Sequence, residues 1–249
     1  MAIEPVPLDV VVTRDGAERE RVPALLFVPR SDAPLPLVLL GHGAHQSKDD
    51  PIAQLLARAL ARGVPAGVAL IDSPGHGERR RADSSEADYL RDVRRRMFDP
   101  AGDAALAAEW SAVARAARAA ARELSGPTGY AGFSMGALFG LSIVADLPDV
   151  RAALFALGGL ASEDGSDDGR SATAARNDRI RDGARRLRDR EILMVNMTRD
   201  EHFPMTGALE VFEAIPGPKR MGVWAGTHEE LPPESMKLIT DFFGRTLAR

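Results

Sequence analysis

From residue 34 onward, short apolar runs alternate with segments whose apolar residues recur at helical spacing. The first run, residues 34–40, carries Leu35, Leu37, Val38, Leu39 and Leu40 and stops at Gly41-His42-Gly43. A strand apolar on both faces is what a parallel sheet covered by helices on either side requires. Residues 66–71, 151–157 and 191–197 read the same way, as does the run that begins at Thr128, and residues 219–224 read as a further strand. Between them, Ile52, Leu55, Leu56, Ala59 and Leu60 make one stripe over residues 52–62. Leu106, Trp110, Val113, Ala117 and Leu124 make another over 103–124, opposite Arg115, Arg118 and Arg122, with Ser125-Gly126-Pro127 as a stop signal. Further helices are expected after Ser134 to about residue 146, over 173–190, over 205–215 and over 233–247. Ahead of this alternation, residues 8–13 and 22–28 flank the turn signal Arg14-Asp15-Gly16 and read as an antiparallel pair. The expected fold is α/β: a mostly parallel twisted sheet of about eight strands with an antiparallel N-terminal hairpin and helices on both faces. No linker-like segment divides the 249 residues, so one domain over 1–249 is expected.

Two stretches depart from the alternation. Residues 79–99 hold seven arginines nearly balanced by acids. This is the pattern of a solvated helix face, and the sharper alternative is an arginine that reaches a pocket and anchors a substrate carboxylate. Residues 163–170 are polar and rich in glycine, a loop signal.

A hydrophobic fraction of 45%, a charged fraction of 27% and a net charge of -4 suit a globular interior and give no electrostatic reason for a nucleic-acid or anionic-membrane partner. No run reaches membrane-spanning length and the N-terminus lacks a leader pattern, so a cytoplasmic location is expected. With no cysteine, disulfides, thiolate catalysis and cysteine-ligated metals are excluded. Whether the chain is a monomer or a homodimer is not legible.

Gly132-Phe133-Ser134-Met135-Gly136 interrupts a strand-to-helix pattern with one serine between two glycines, the G-x-S-x-G nucleophile elbow. Such a serine stands at a helix N-terminus beside the free N–H of Met135, where an oxyanion is stabilised. Serine needs a base, and the candidates are His42, His45, His76, His202 and His228. Only His228 lies in the loop after the last strand. No pair of histidines has the i, i+4 spacing of a zinc-protease helix, so no metal or other cofactor is expected.

The order serine, acid, histidine resembles that of the α/β-hydrolase fold, of the esterase and dienelactone-hydrolase-like kind, over almost the whole chain. Gly41-His42-Gly43-Ala44-His45-Gln46-Ser47-Lys48 is similar to that family's oxyanion loop, Asp72-Ser73-Pro74-Gly75-His76-Gly77 to its turn after the fourth strand, Asp200-Glu201-His202-Phe203-Pro204 to its acid segment, and Gly226-Thr227-His228 to its base loop. The resemblance implies Ser134 as nucleophile, His228 as base and Asp200 as orienting acid, with Glu201 the competing acid. It implies an oxyanion hole from the N–H groups of Met135 and Ala44, with residues 43 and 45 as neighbours that could supply the second donor instead. Gly43, His45, Phe133 and Phe203 are expected around a small-molecule ester substrate, whereas His42 and His76 read as loop-holding residues. Only a small cap, or none, fits between residues 163 and 190. The relatives named for dienelactones use a cysteine nucleophile, so serine here points to general ester hydrolysis. A peptidase, a thioesterase, a lactonase and a non-catalytic binding protein of the same fold are the alternatives.

Overall fold

Successive residues of the central strands point into two different cores, which is why these strands read as continuously apolar. The computed structural model describes residues 3–14, 18–162 and 167–248. Strands β1 (Pro5–Arg14) and β2 (Glu18–Phe27) form the antiparallel hairpin, whose expected turn residues Asp15 and Gly16 lie outside the described residues. They are followed by β3 (Leu37–Gly41), helix α1 (Pro51–Gly63), β4 (Gly67–Ile71), α2 (Glu86–Phe98) and α3 (Asp103–Ala120). Next come β5 (Thr128–Phe133), α4 (Met135–Ile143), β6 (Val150–Ala156), α5 (Asp167–Arg185), β7 (Glu191–Met197), α6 (Met205–Ala214), β8 (Lys219–Trp224) and α7 (Pro233–Thr246).

The sheet order is β1-β2-β4-β3-β5-β6-β7-β8, and β2 alone runs against the others. Leu37, Leu39, Tyr130, Ala153, Phe155 and Met194 face α3, α4, α5 and α6, while Val38, Leu40, Ala131, Leu154 and Val195 face α1 and α7. This period of two on a sheet buried on both sides leaves no polar face to mark the alternation. The chain leaves β3 towards β4 on one side and returns to β5 on the other, so a crevice opens at the carboxyl ends of β3 and β5, the switch point where α/β sheets place their sites.

Two helices differ from expectation. The helix expected over 103–124 ends at Ala120. Arg118, on the face read as solvated, donates to the carbonyls of Leu124 and Gly126 and to Thr128 Oγ1, and so holds the chain in a turn that the stripe of apolar residues does not announce. The segment expected as a loop to residue 170 and a helix from 173 is helical from Asp167 and stops at Arg185. The added residues 167–172, Asp-Asp-Gly-Arg-Ser-Ala, carry no apolar stripe, and further along the buried face holds Thr173, Arg176, Asn177 and Ile180. Residues 163–166 of the expected loop lie outside the described residues.

Arg176 has no exposed surface, yet it is fully paired. Nη1 donates to both carboxylate oxygens of Asp103 at 2.8 and 2.9 Å and to Ser142 Oγ at 3.0 Å, while Nε and Nη2 donate to the carbonyls of Met97 and Asp99. One guanidinium thus joins α3, α4, α5 and the end of α2. On α2 itself, Arg91 pairs with Asp88, and Arg95 and Arg96 pair with Asp92, all on the exposed side. Such solvent-screened pairs contribute little to stability.

Removing one member of a buried ion pair strands the other, at a cost of about 3–5 kcal/mol. Arg176→Ala should therefore lower the unfolding free energy by about that amount in urea titrations, and Arg176→Lys should recover only part of it because a point charge cannot reach both carbonyls and the carboxylate.

Candidate active site

The elbow is built by backbone that approaches too closely for side chains. A Cβ on Gly132 would lie 2.4 Å from the carbonyl oxygen of Gly136, and a Cβ on Gly136 would lie 2.3 Å from that of Gly41. Between them Ser134 takes φ 53° and ψ -114°, a left-handed backbone that an L-residue adopts at a cost of about 1–3 kcal/mol. Serine at a helix start normally turns its hydroxyl onto the helix N–H groups. Here it makes no such bond, and Oγ points instead at His228 Nε2, 2.7 Å away.

His228 reaches this point from the loop after β8. That loop is pinned to the end of β7 by Thr198 N–H on the Trp224 carbonyl (2.9 Å) and Arg199 N–H on the Gly226 carbonyl (2.8 Å). The other ring nitrogen, Nδ1, lies 2.8 Å from Asp200 Oδ2. Oδ1 of Asp200 accepts the N–H groups of His202 (2.9 Å) and Phe203 (2.8 Å), so both carboxylate oxygens are used. Burial alone would raise the Asp200 pKa, but the imidazole and the two N–H donors outweigh it and hold the carboxyl below its usual value. Of the two adjacent acids, Asp200 faces the ring, whereas Glu201 is exposed and accepts the backbone N–H of His228 at 3.2 Å. Phe203 and His202 lean on the ring from other sides, with ring centres 5.6 and 4.8 Å from that of His228.

Met135 opens α4, so its N–H has no carbonyl four residues back within the helix, and the next N–H, of Gly136, is committed to the His42 carbonyl at 3.0 Å. In the loop after β3, the Gly43 N–H is occupied by Gln46 Oε1 at 2.9 Å. Gly43 itself is close to the elbow, since a Cβ there would stand 3.8 Å from Ser134 Cβ. Of the other residues expected around the substrate, His45 is exposed, while Phe133 and Phe203 are buried, at 4% and 2% exposure.

The turn histidines hold this loop. His42 is buried and accepts the Ser73 N–H at Nε2 (3.1 Å), which leaves Nδ1 protonated to donate to the Gly43 carbonyl at 2.7 Å. His76 Nε2 lies 2.8 Å from the Ala44 carbonyl, and the Tyr89 hydroxyl lies 3.4 Å from the same oxygen. The sequence places Gln46, Lys48 and Asp72 in these loops without revealing their contacts, and it does not mark Tyr89. A polar residue in a loop carries no mark of the carbonyl or amide it will meet.

No known family and no curated protein matches the sequence of this chain. Solved structures do. A cold-adapted esterase from an Arctic intertidal metagenomic library matches at 26% identity and a TM-score of 0.74, over 98% of this chain and 93% of that one. A Thermus thermophilus protein matches at 21% identity and a TM-score of 0.72 over the full length of both, and a dienelactone hydrolase from Anabaena variabilis at 18% and 0.64, over 98% of this chain and 99% of that one. The chain has the α/β-hydrolase fold.

Burial, and next the neighbouring His76, lowers the His42 pKa from 6.5 to about 3. The unfolded chain therefore takes up a proton below about pH 6.5 that the folded chain refuses until about pH 3, so acid favours unfolding across that window. At pH 5 this one group should cost about 2 kcal/mol relative to pH 7. Urea midpoints at the two pH values should show the loss, and His42→Gln should shrink it.

Proposed function

We propose that this α/β-hydrolase-fold chain is a serine hydrolase that cleaves carboxylic esters through an acyl-enzyme. The observation that carries the reading is the continuous relay of 2.7 Å from Ser134 Oγ to His228 Nε2 and 2.8 Å from His228 Nδ1 to Asp200 Oδ2, ending on a hydroxyl that the strained elbow keeps off its own helix. His228 Nε2 takes the Ser134 proton as Oγ attacks the ester carbonyl. The oxyanion that forms is held by the N–H groups of Met135 and Ala44. Collapse expels the alcohol, which leaves with the proton from His228. Water, deprotonated by the same ring, then attacks the acyl-Ser134 carbonyl and releases the acid.

Asp200 keeps Nδ1 protonated, so that Nε2 is the nitrogen free to accept. Because its carboxyl lies below the usual value, it stays charged throughout the range in which imidazole works as a base. The likeness to the cold-adapted esterase supports an ester as substrate, and nothing in the relay requires a cofactor.

A panel of p-nitrophenyl esters of increasing chain length tests the reaction. Ser134→Ala and His228→Ala should each lower kcat at least about 1000-fold. Asp200→Asn should lower it by about 10,000-fold, whereas Glu201→Gln should change it little. Retention of full activity by the first two variants would overturn the roles. Labelling of Ser134 by a fluorophosphonate separates an enzyme from a binding protein of the same fold.

A further inference from the structure

We infer that the Lys48 ammonium is a built-in counter-cation that clamps the loop bearing Ala44 onto the turn after β4, making Lys48 a positioning residue for the oxyanion donor. This rests on the acyl-transfer reading of Ser134. Lys48 Nζ lies 2.6 Å from Asp49 Oδ2, 2.8 Å from Glu78 Oε1 and 3.6 Å from Asp72 Oδ2. Its side chain is only 6% exposed. Oxygens of these three carboxylates lie within 4.8 Å of one another, a spacing that a divalent cation could span, and the ammonium stands among them.

Asp72 is the member that makes the charge necessary. It has no exposed surface, and its oxygens accept the N–H groups of Lys48 (2.8 Å) and Glu78 (3.0 Å), one from each loop. The turn wraps it so tightly that Gly77 sits at φ +51°, where a Cβ would fall 2.3 Å from the carboxylate. Two neutral bonds also cross between the loops, Ser73 N–H to His42 Nε2 and His76 Nε2 to the Ala44 carbonyl, and these orient the Gly43–Ala44 backbone. Neither compensates a buried negative charge. The Lys48 side chain does, since its carboxylate partners outweigh burial and raise its pKa, so it is charged wherever the enzyme works. Glu78 is in turn held by Arg21, which also binds Asp9, so the network ends on the hairpin.

Without the ammonium, Asp72 is a buried charge left with two backbone N–H donors and no counter-cation, and the turn and loop should separate. The Ala44 N–H then leaves the place where the oxyanion develops, a loss felt in the transition state rather than in substrate binding.

The test is Lys48→Met, which keeps the aliphatic stem. We expect kcat on a p-nitrophenyl ester to fall about 10- to 100-fold with KM within about twofold. Inhibition by phenylboronic acid, which mimics the tetrahedral intermediate, should weaken by the same factor as kcat/KM. Hydrogen exchange over residues 41–48 and 72–78 should accelerate at least about tenfold while β5 and α4 stay protected. Adding Asp72→Asn to Lys48→Met should return much of the loss by removing the stranded charge. Unchanged exchange would overturn the clamp, as would faster exchange with wild-type kcat and boronate affinity, or a double variant worse than the single. If the wild-type chain hydrolyses no ester, the serine-hydrolase reading fails, and the exchange measurement still decides whether Lys48 holds the two loops together.

Discussion

The backbone contact between Gly136 and Gly41 sets the geometry of everything above the sheet. It lets α4 start directly over the end of β3, with the Gly136 N–H on the His42 carbonyl, and it compresses the intervening turn until Ser134 must adopt a positive φ. A strained residue persists only where the surroundings over-determine it. Here they do so through β5 on one side, whose pairing with β6 continues into the Ser134 N–H on the Ala156 carbonyl, and through α4 on the other, which is buried at every position. The strain has a chemical consequence, because a serine so held cannot cap its helix and presents its hydroxyl to a ring from another part of the chain.

A second layer of constraint lies in the buried charges. Arg176 with Asp103, Arg79 with Glu109, and Lys48 with Asp72 are each nearly withdrawn from water, and each joins elements far apart in sequence. Such pairs add little net stability over apolar packing, but they punish any arrangement that parts them. They lie around the long excursion between β4 and β5 and beneath the loops that carry the site. The layered apolar cores fix the sheet, and these pairs fix what is hung on its edge.

The strands and most of the helices were legible because burial on both faces leaves long apolar runs that end abruptly at glycine, as at Gly41 and Gly158. The limits of β7 and β8 coincide with the runs read from the sequence, Glu191 to Met197 and Lys219 to Trp224. What misled was polarity. The first turn of α5, Asp167-Asp168-Gly169-Arg170, is polar and holds a glycine and so resembled a loop, and Arg118, an arginine on an apparently solvated face, ends α3 early by capturing carbonyls beyond it. In the case of Arg118 a polar side chain is satisfied by partners that only folding brings near.

The residue types and their order along the chain determined that a serine elbow, an acid segment and a histidine loop would stand at the carboxyl ends of a parallel sheet, because hydrophobic periodicity and glycine placement are local properties. Tertiary structure alone decided that Asp200 takes the ring and Glu201 the backbone of His228, that Gln46 occupies the Gly43 donor, and that Lys48 is the charge beneath the loop. Each of those outcomes turns on a distance of a few ångströms between residues from separate loops. No local pattern encodes such a distance; it appears when the two cores pack and carry the loops together.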